Sequence, residues 1–263
     1  MSSITNKPPL NGWILPAPLP DHLAARFPRA CRPLLQALQT RGILNGSTTG
    51  PAGLTEFFDT AAPSPDPFQL LDMDRAVERI LKEVHSGRAI GVFGHFDCDG
   101  VTSTALLTEA LLLLGAPVVP HIPDRNDDYG IPANGVDRLA AAGVRLIVTV
   151  DCGIKAIAEV DRATSLGIDI VITDHHQCGQ QRLPSGEEVE VLPAACAVVN
   201  PRRAGCPYPF KRLAGVGVVF RLVQALAQAA GKASLDASAL ENFLDLVCIG
   251  TTADVVDLVG ENR

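Results

Sequence analysis

Three short apolar runs, 88–93, 144–150 and 167–173, each break off at a turn rich in ionisable side chains. The first ends in GHFDCDG (94–100), the second at Asp151, and the third at the triplet Asp174, His175, His176. The runs carry many β-branched residues and are short, as buried strands are. Stretches of helical period separate them at 101–115, 132–142 and 154–166, with a further apolar strand candidate at 118–122. Alternation of strand and helix predicts an α/β fold, a parallel sheet flanked by helices. In such a sheet ligands sit outside the carboxyl ends of the strands, so three successive ends deliver carboxylates and imidazoles to one edge. The clustering reads as a metal site.

Within GHFDCDG, an extended chain would put His95, Asp97 and Asp99 on one face, with Phe96 and Cys98 on the other. The bland alternative is that Asp99 caps the following helix. No complete nucleotide-binding glycine loop occurs, and Gly215 with Gly217 makes only a partial match. Near the end of the chain, Asp254 stands alone in GTTADVV. A carboxylate among small and apolar residues needs a compensating charge, which a metal would supply. Cys98 and Cys152 read as small packing residues.

Composition narrows the rest. The net charge of −7 argues against a broad basic footprint for duplex DNA, while bound divalent cations would offset carboxylates in a cleft. Seven cysteines without a C-x-x-C pair fit neither a disulfide framework nor a thiolate zinc site. Early prolines interrupt any signal-peptide core, and no apolar run approaches the eighteen or so residues of a membrane span. A cytoplasmic protein with no membrane association is expected. Residues 1–75 are expected to form a mostly helical extension, with two short helices between 21 and 40, because Pro28 and Pro33 divide the apolar period. Residues 76–263 form the main domain. Residues 178–190 read as a polar loop, and 213–230 and 237–249 as two helices.

With these residues in view, GHFDCDG, VTVDCGI (148–154), VITDHHQ (171–177) and GTTADVV (250–256) resemble, in order, the four motifs of the DHH phosphoesterases. The flanking CPYPFKRLAGVGVVF and ADVVDLVGENR are similar to the bacterial RecJ branch, single-strand-specific 5′ to 3′ exonucleases of DNA repair and recombination. The resemblance implies hydrolysis of phosphodiesters in single-stranded DNA by a water activated between two Mn²⁺ ions, with Mg²⁺ as the other candidate. Asp99, Asp151, His175 and Asp254 would hold one ion, and His95, Asp97 and Asp151 the other. His176 would contact the scissile phosphate, and Asp174 would orient a neighbouring imidazole. Arg125 would clamp a phosphate, or else is an ordinary solvated arginine.

The chain departs from the RecJ pattern at His95, where many relatives carry Asp. The family continues into a second, substrate-gripping domain, which this sequence is expected to lack. A single-strand-binding protein or a helicase would be further partners. Two other readings stay open: a DHH enzyme acting on short oligonucleotides, cyclic dinucleotides or pyrophosphate, and a non-catalytic scaffold of the same fold.

Overall fold

In the computed structural model, residues 15–44, 64–124, 133–231 and 233–263 are described. The chain divides into two compact units, Met1–Pro63 and Ser64–Arg263. In the first, α1 (Asp21–Ala24) and α2 (Arg32–Thr40) enclose a small cluster of Leu19, Leu23, Phe27, Leu35, Leu38 and Leu44. Gln36 ties the approach to α1 back onto α2: it donates to the Ala17 carbonyl at 3.0 Å and accepts from Leu19 N at 2.7 Å. The break between the helices falls where the prolines predict it.

The second unit begins with α3 (Met73–Ser86), followed by β1 (Ile90–Phe93), α4 (Cys98–Leu113), β2 (Val118–His121), α5 (Ala133–Ala141), β3 (Leu146–Val150), α6 (Ile157–Ser165) and β4 (Asp169–Thr173). A hairpin of β5 (Gly179–Arg182) and β6 (Glu188–Val191) precedes β7 (Ala197–Val199). The chain closes with α7 (Gly215–Ala230), α8 (Ala237–Glu241) and α9 (Leu244–Ala253). Among the described residues no helix is long and apolar enough to cross a membrane.

The main sheet is wholly parallel, in the order β2-β1-β3-β4-β7. Its central strands are buried on both faces, which is why they read as continuous apolar runs rather than alternating ones. One face packs under α3, α4 and α7 and the other under α5 and α6, giving two cores divided by the sheet. Each fully buried Val, Ile or Leu of these cores contributes about 1.5–3 kcal/mol. The register sets Phe93 beside Thr149, and Val150 beside Thr173. Consequently the chain leaves β1, β3 and β4 at nearly one level. Because α4 leaves β1 on one face and α6 leaves β3 on the other, the crevice between these ends is the switch point of the sheet.

Three expectations are corrected. Residues 95–99 are not extended: the helix starts at Cys98, so His95, Asp97 and Asp99 do not share a pleat face, and Cys98 is exposed rather than packed. The 178–190 loop is mostly a hairpin, turned at Gly186 with φ +88°. The β5 sequence GQQR carries no apolar residue, and the alternation in β6, EVEV, is only four residues long, too short beside so polar a partner to mark a hairpin. The helix expected over 237–249 is two, α8 and α9, broken at 242–243.

At the opposite edge of the sheet, Glu83 is closed off from solvent and accepts from Arg88 at 2.8 and 3.1 Å and from Arg79 at 3.2 Å. Arg79 also donates to Asp169 at 2.6 Å and so ties α3 to the start of β4. Burial would raise the Glu83 carboxyl, but the two guanidinium groups outweigh it and hold the group below its ordinary 4.5. Glu83→Ala should therefore destabilise the unit by about 2 kcal/mol, less than a wholly buried pair because Arg88 is half exposed. A carboxylate lowered on folding stabilises above its unfolded value, and that contribution is lost as pH falls through the folded one. Urea titrations should thus show the parent and variant drawing together as pH falls below the ordinary carboxylate value of 4.5; parallel curves would refute this assignment.

Candidate metal centre

The first turn is shaped by how α4 begins. Asp97 is its N-cap and accepts from Gly100 N at 2.9 Å, while Asp99 falls in the first helical turn and is buried. Asp97, rather than Asp99, thus satisfies an orphan amide of the helix end. The other Asp97 oxygen faces His95 Nδ1 at 2.9 Å. That hydrogen bond is the largest influence lowering the half-exposed Asp97 carboxyl to about 2, so it is ionised at any working pH.

Asp99 is held from a different direction. Gly215 N donates to its Oδ2 at 2.6 Å and Val216 N to its Oδ1 at 2.8 Å, so the N-terminus of α7 grips the carboxylate with two main-chain amides. This helix end favours negative charge. Gly215 is required for closeness as well: a Cβ there would lie 2.6 Å from Asp151 Oδ1.

Asp151 follows β3 in the left-handed region, at φ +59°, with Gly153 at φ +107° completing the turn. Asp tolerates that region better than most residues, and strain of this kind gathers at functional sites. Asp151 Oδ1 is buried and makes no hydrogen bond among the described residues. Burial first, then Asp99 and Asp97, drive its carboxyl far above the ordinary range. Without a cation, Asp151 would hold a proton. His175 Nε2 lies 3.1 Å from Asp151 Oδ1 and 3.8 Å from oxygens of both Asp99 and Asp254, yet neither of its ring nitrogens is hydrogen-bonded among the described residues. Burial lowers the His175 pKa, leaving a neutral imidazole with a free lone pair, the form that binds metal. Asp254 caps the C-terminus of α9 and is partly exposed.

Asp174 has the opposite surroundings. Its buried carboxylate accepts from the amides of Ile154 (2.9 Å), His175 (2.7 Å) and His176 (3.0 Å), and meets His176 Nδ1 at 2.7 Å. Burial works to raise its pKa, but these donors win and keep it low. The Asp174 contact is in turn the main cause raising His176 to about 9. His176 is a cation at neutral pH, partly open to solvent, and aimed by a fixed anion.

Three groups place one donor atom per residue within 4.8 Å of one another: His95, Asp97 and Asp151; Asp99, His175 and Asp254; Asp151, His175 and His176. Oxygen donors with imidazoles suit a hard or borderline divalent cation. Every residue read as a ligand from sequence lies in this cluster; Arg125 lies outside the described residues. The amides of Gly215 and Val216 were missed, and the partial glycine match at 215–217 was their trace.

The sequence profile of the DHH family, N-terminal domain, matches residues 89–251. The chain belongs to the DHH family. Within it, the single-stranded-DNA-specific exonuclease RecJ of Bacillus subtilis is 40% identical over 199 residues, which are 75% of this chain and 23% of that protein. RecJ of Escherichia coli is 41% identical over 203 residues, 74% of this chain and 33% of its own. The chain thus spans about a quarter to a third of the length of the curated relatives it matches. A crystal structure of exonuclease RecJ bound to manganese superposes with a TM-score of 0.63 at 33% identity, covering 74% of this chain and 46% of that one. RecJ of Thermus thermophilus in complex with Mn²⁺ gives 0.65 at 30% identity, over 88% of this chain and 30% of that one. A complex of the Thermus protein with Mg²⁺ is similar as well. Together with the donor set, these relatives mark the DHH centre as one for divalent metal.

Two outcomes follow from the geometry. Asp174→Asn should drop the metal-free His176 pKa from about 9 towards the ordinary value of about 6.5, read by nitrogen NMR; an unchanged titration would show that Asp174 does not hold the charge. Gly215→Ala should weaken Mn²⁺ binding by roughly tenfold or more, because the new methyl must displace Asp151. Calorimetry showing parental affinity would remove that role.

Proposed function

We propose that this chain carries the catalytic centre of a phosphodiesterase that hydrolyses single-stranded DNA from the 5′ end, using two divalent cations, usually Mn²⁺. The observation that carries the reading is the sharing of Asp151 and His175 among three adjacent donor groups, since neighbouring ions need ligands in common. Asp99, Asp151, His175 and Asp254 would hold one ion and His95, Asp97 and Asp151 the other. When bound, such a pair activates water near neutral pH and neutralises charge on the phosphate.

The protein's own groups do the rest. Ionised Asp97 supplies fixed negative charge without needing to shed a proton, whereas burial outweighs the two α7 amides at Asp99 and raises its carboxyl to about 6, so that it is largely ionised only from neutral pH upwards. Asp151 must lose its proton to bind metal, so metal affinity should rise with pH. His176, though it belongs to the third donor group, is held as a cation by Asp174 and is better suited to donate to a phosphate oxygen than to ligate. A preset donor of this kind stabilises charge that grows on the phosphate as the bond breaks. Asp174 is a positioning residue: its buried oxygens are already taken up by four donors.

The reading is tested by Mn²⁺-dependent degradation of a 5′-labelled single-stranded DNA. Asp151→Ala should abolish it, and His176→Gln should lower kcat by about 10²- to 10³-fold while leaving metal binding in place. Undiminished cleavage by Asp151→Ala would overturn the site. Cleavage of dinucleotides with longer strands untouched would move the substrate to short oligonucleotides.

A further inference from the structure

The segment between β7 and α7 carries four cations: Arg202, Arg203, Lys211 and Arg212. Three are engaged within the fold. Arg203 donates to Asp72 at 2.7 Å and to the Val198 carbonyl, Lys211 to the Cys206 carbonyl at 2.6 Å, and Arg212 to Asp257 at 2.7 Å. The guanidinium of Arg202 makes no hydrogen bond or ion pair among the described residues, although the side chain is only partly exposed.

Its main chain, by contrast, is tied to the metal centre. Asn200, at the end of β7, is wholly buried. Its Nδ2 donates to the His176 carbonyl at 2.9 Å, and its Oδ1 accepts from Arg202 N at 2.8 Å. One buried amide therefore fixes the backbone of His176 and the backbone of Arg202 against each other. The far side of the same turn is fixed too, because Ala204 N donates to Glu190 of the β5–β6 hairpin at 2.9 Å. A guanidinium without a partner among the described residues, on a turn whose main chain is braced against that of His176, is arranged for an anion.

Charge decides which anion. Asp97, Asp99, Asp151 and Asp254 crowd the crevice, and the protein's net charge is −7, so a polyanionic strand gains attraction only where cations are local. We propose that Arg202 binds a backbone phosphate of the DNA strand next to the one facing His176, and that Asn200 is the positioning residue setting the spacing between them. Guanidinium suits this task, since its fork meets two phosphate oxygens at once. The inference rests on the reading of single-stranded DNA as substrate.

The test is the salt dependence of binding of a fluorescein-labelled oligothymidylate, with Ca²⁺ in place of Mn²⁺ to suppress turnover. Arg202→Gln should weaken binding by roughly three- to tenfold, and the slope of log K against log salt should shrink by about 0.7, the release of one counterion from a single strand. Arg202→Lys should keep the slope and lose only part of the affinity. Arg162→Gln removes a surface cation paired with Asp137 far along α6, and should leave the slope unchanged. Matched unfolding midpoints establish that the variants are folded. Parental slope and affinity in Arg202→Gln, or an equal loss in Arg162→Gln, would overturn the inference while Mn²⁺-dependent cleavage by the parent left the functional reading intact. A parent that neither binds nor cleaves the oligonucleotide would overturn both.

Discussion

Everything at the working edge of this sheet is subordinate to one electrostatic problem, the burial of Asp151 beside Asp99 and Asp97. Like charges brought together out of water must be compensated by a proton, a cation or hydrogen-bond donors. The fold provides donors for two of the three carboxylates: α7 gives Asp99 two amides, and α4 with His95 serves Asp97. Asp151 receives nothing comparable on Oδ1 among the described residues, and its turn is held in the left-handed region. A carboxylate left in deficit at the meeting point of its neighbours is the part of the structure that a shared cation would complete.

The contrast with Asp174 shows that residue type alone does not decide function. Asp151 and Asp174 follow adjacent parallel strands, and both are buried. Four donors reach Asp174, so it is a settled anion whose charge is passed on to His176. Asp151 instead is pushed towards its neutral form. Donor count thus separates a group that orients a cation from a group that awaits one. Both depend on the sheet register, which brings the two strand ends to one level.

That division explains how far the sequence was readable. Strands buried on both faces write themselves as apolar runs, so β1, β3 and β4, their parallel arrangement and the ionisable turns beyond them were legible. The hairpin at 179–191 was not, because β5 has no apolar residue and the alternation in β6 spans only four residues. The exact face shared by Asp97 and Asp99 was misjudged, since helix onset at Cys98 lies beyond what residue alternation can reveal. Main-chain amides leave the weakest trace of all. Gly215 and Val216 hold Asp99 through groups that nearly every residue possesses, and only the glycine's need for space betrays them.

The last contributor to the cluster is placed against its local interests. Asp254 puts a carboxylate at the C-terminus of α9, where the helix dipole disfavours negative charge, and Val255 follows at φ +59°, unfavourable for a β-branched side chain. The segment beyond is braced by several contacts: Arg212 meets Asp257, Asn262 donates to the Arg212 carbonyl, and Tyr208 donates to Glu261 at 2.6 Å. Helix end and strap together hold Asp254 Oδ2 3.8 Å from His175. A conformation that is costly locally yet over-determined by its surroundings is retained for what it faces. Here it faces the same imidazole as Asp151, so binding energy from a cation held there would be coupled to the strained end of α9 as well as to the strand turns.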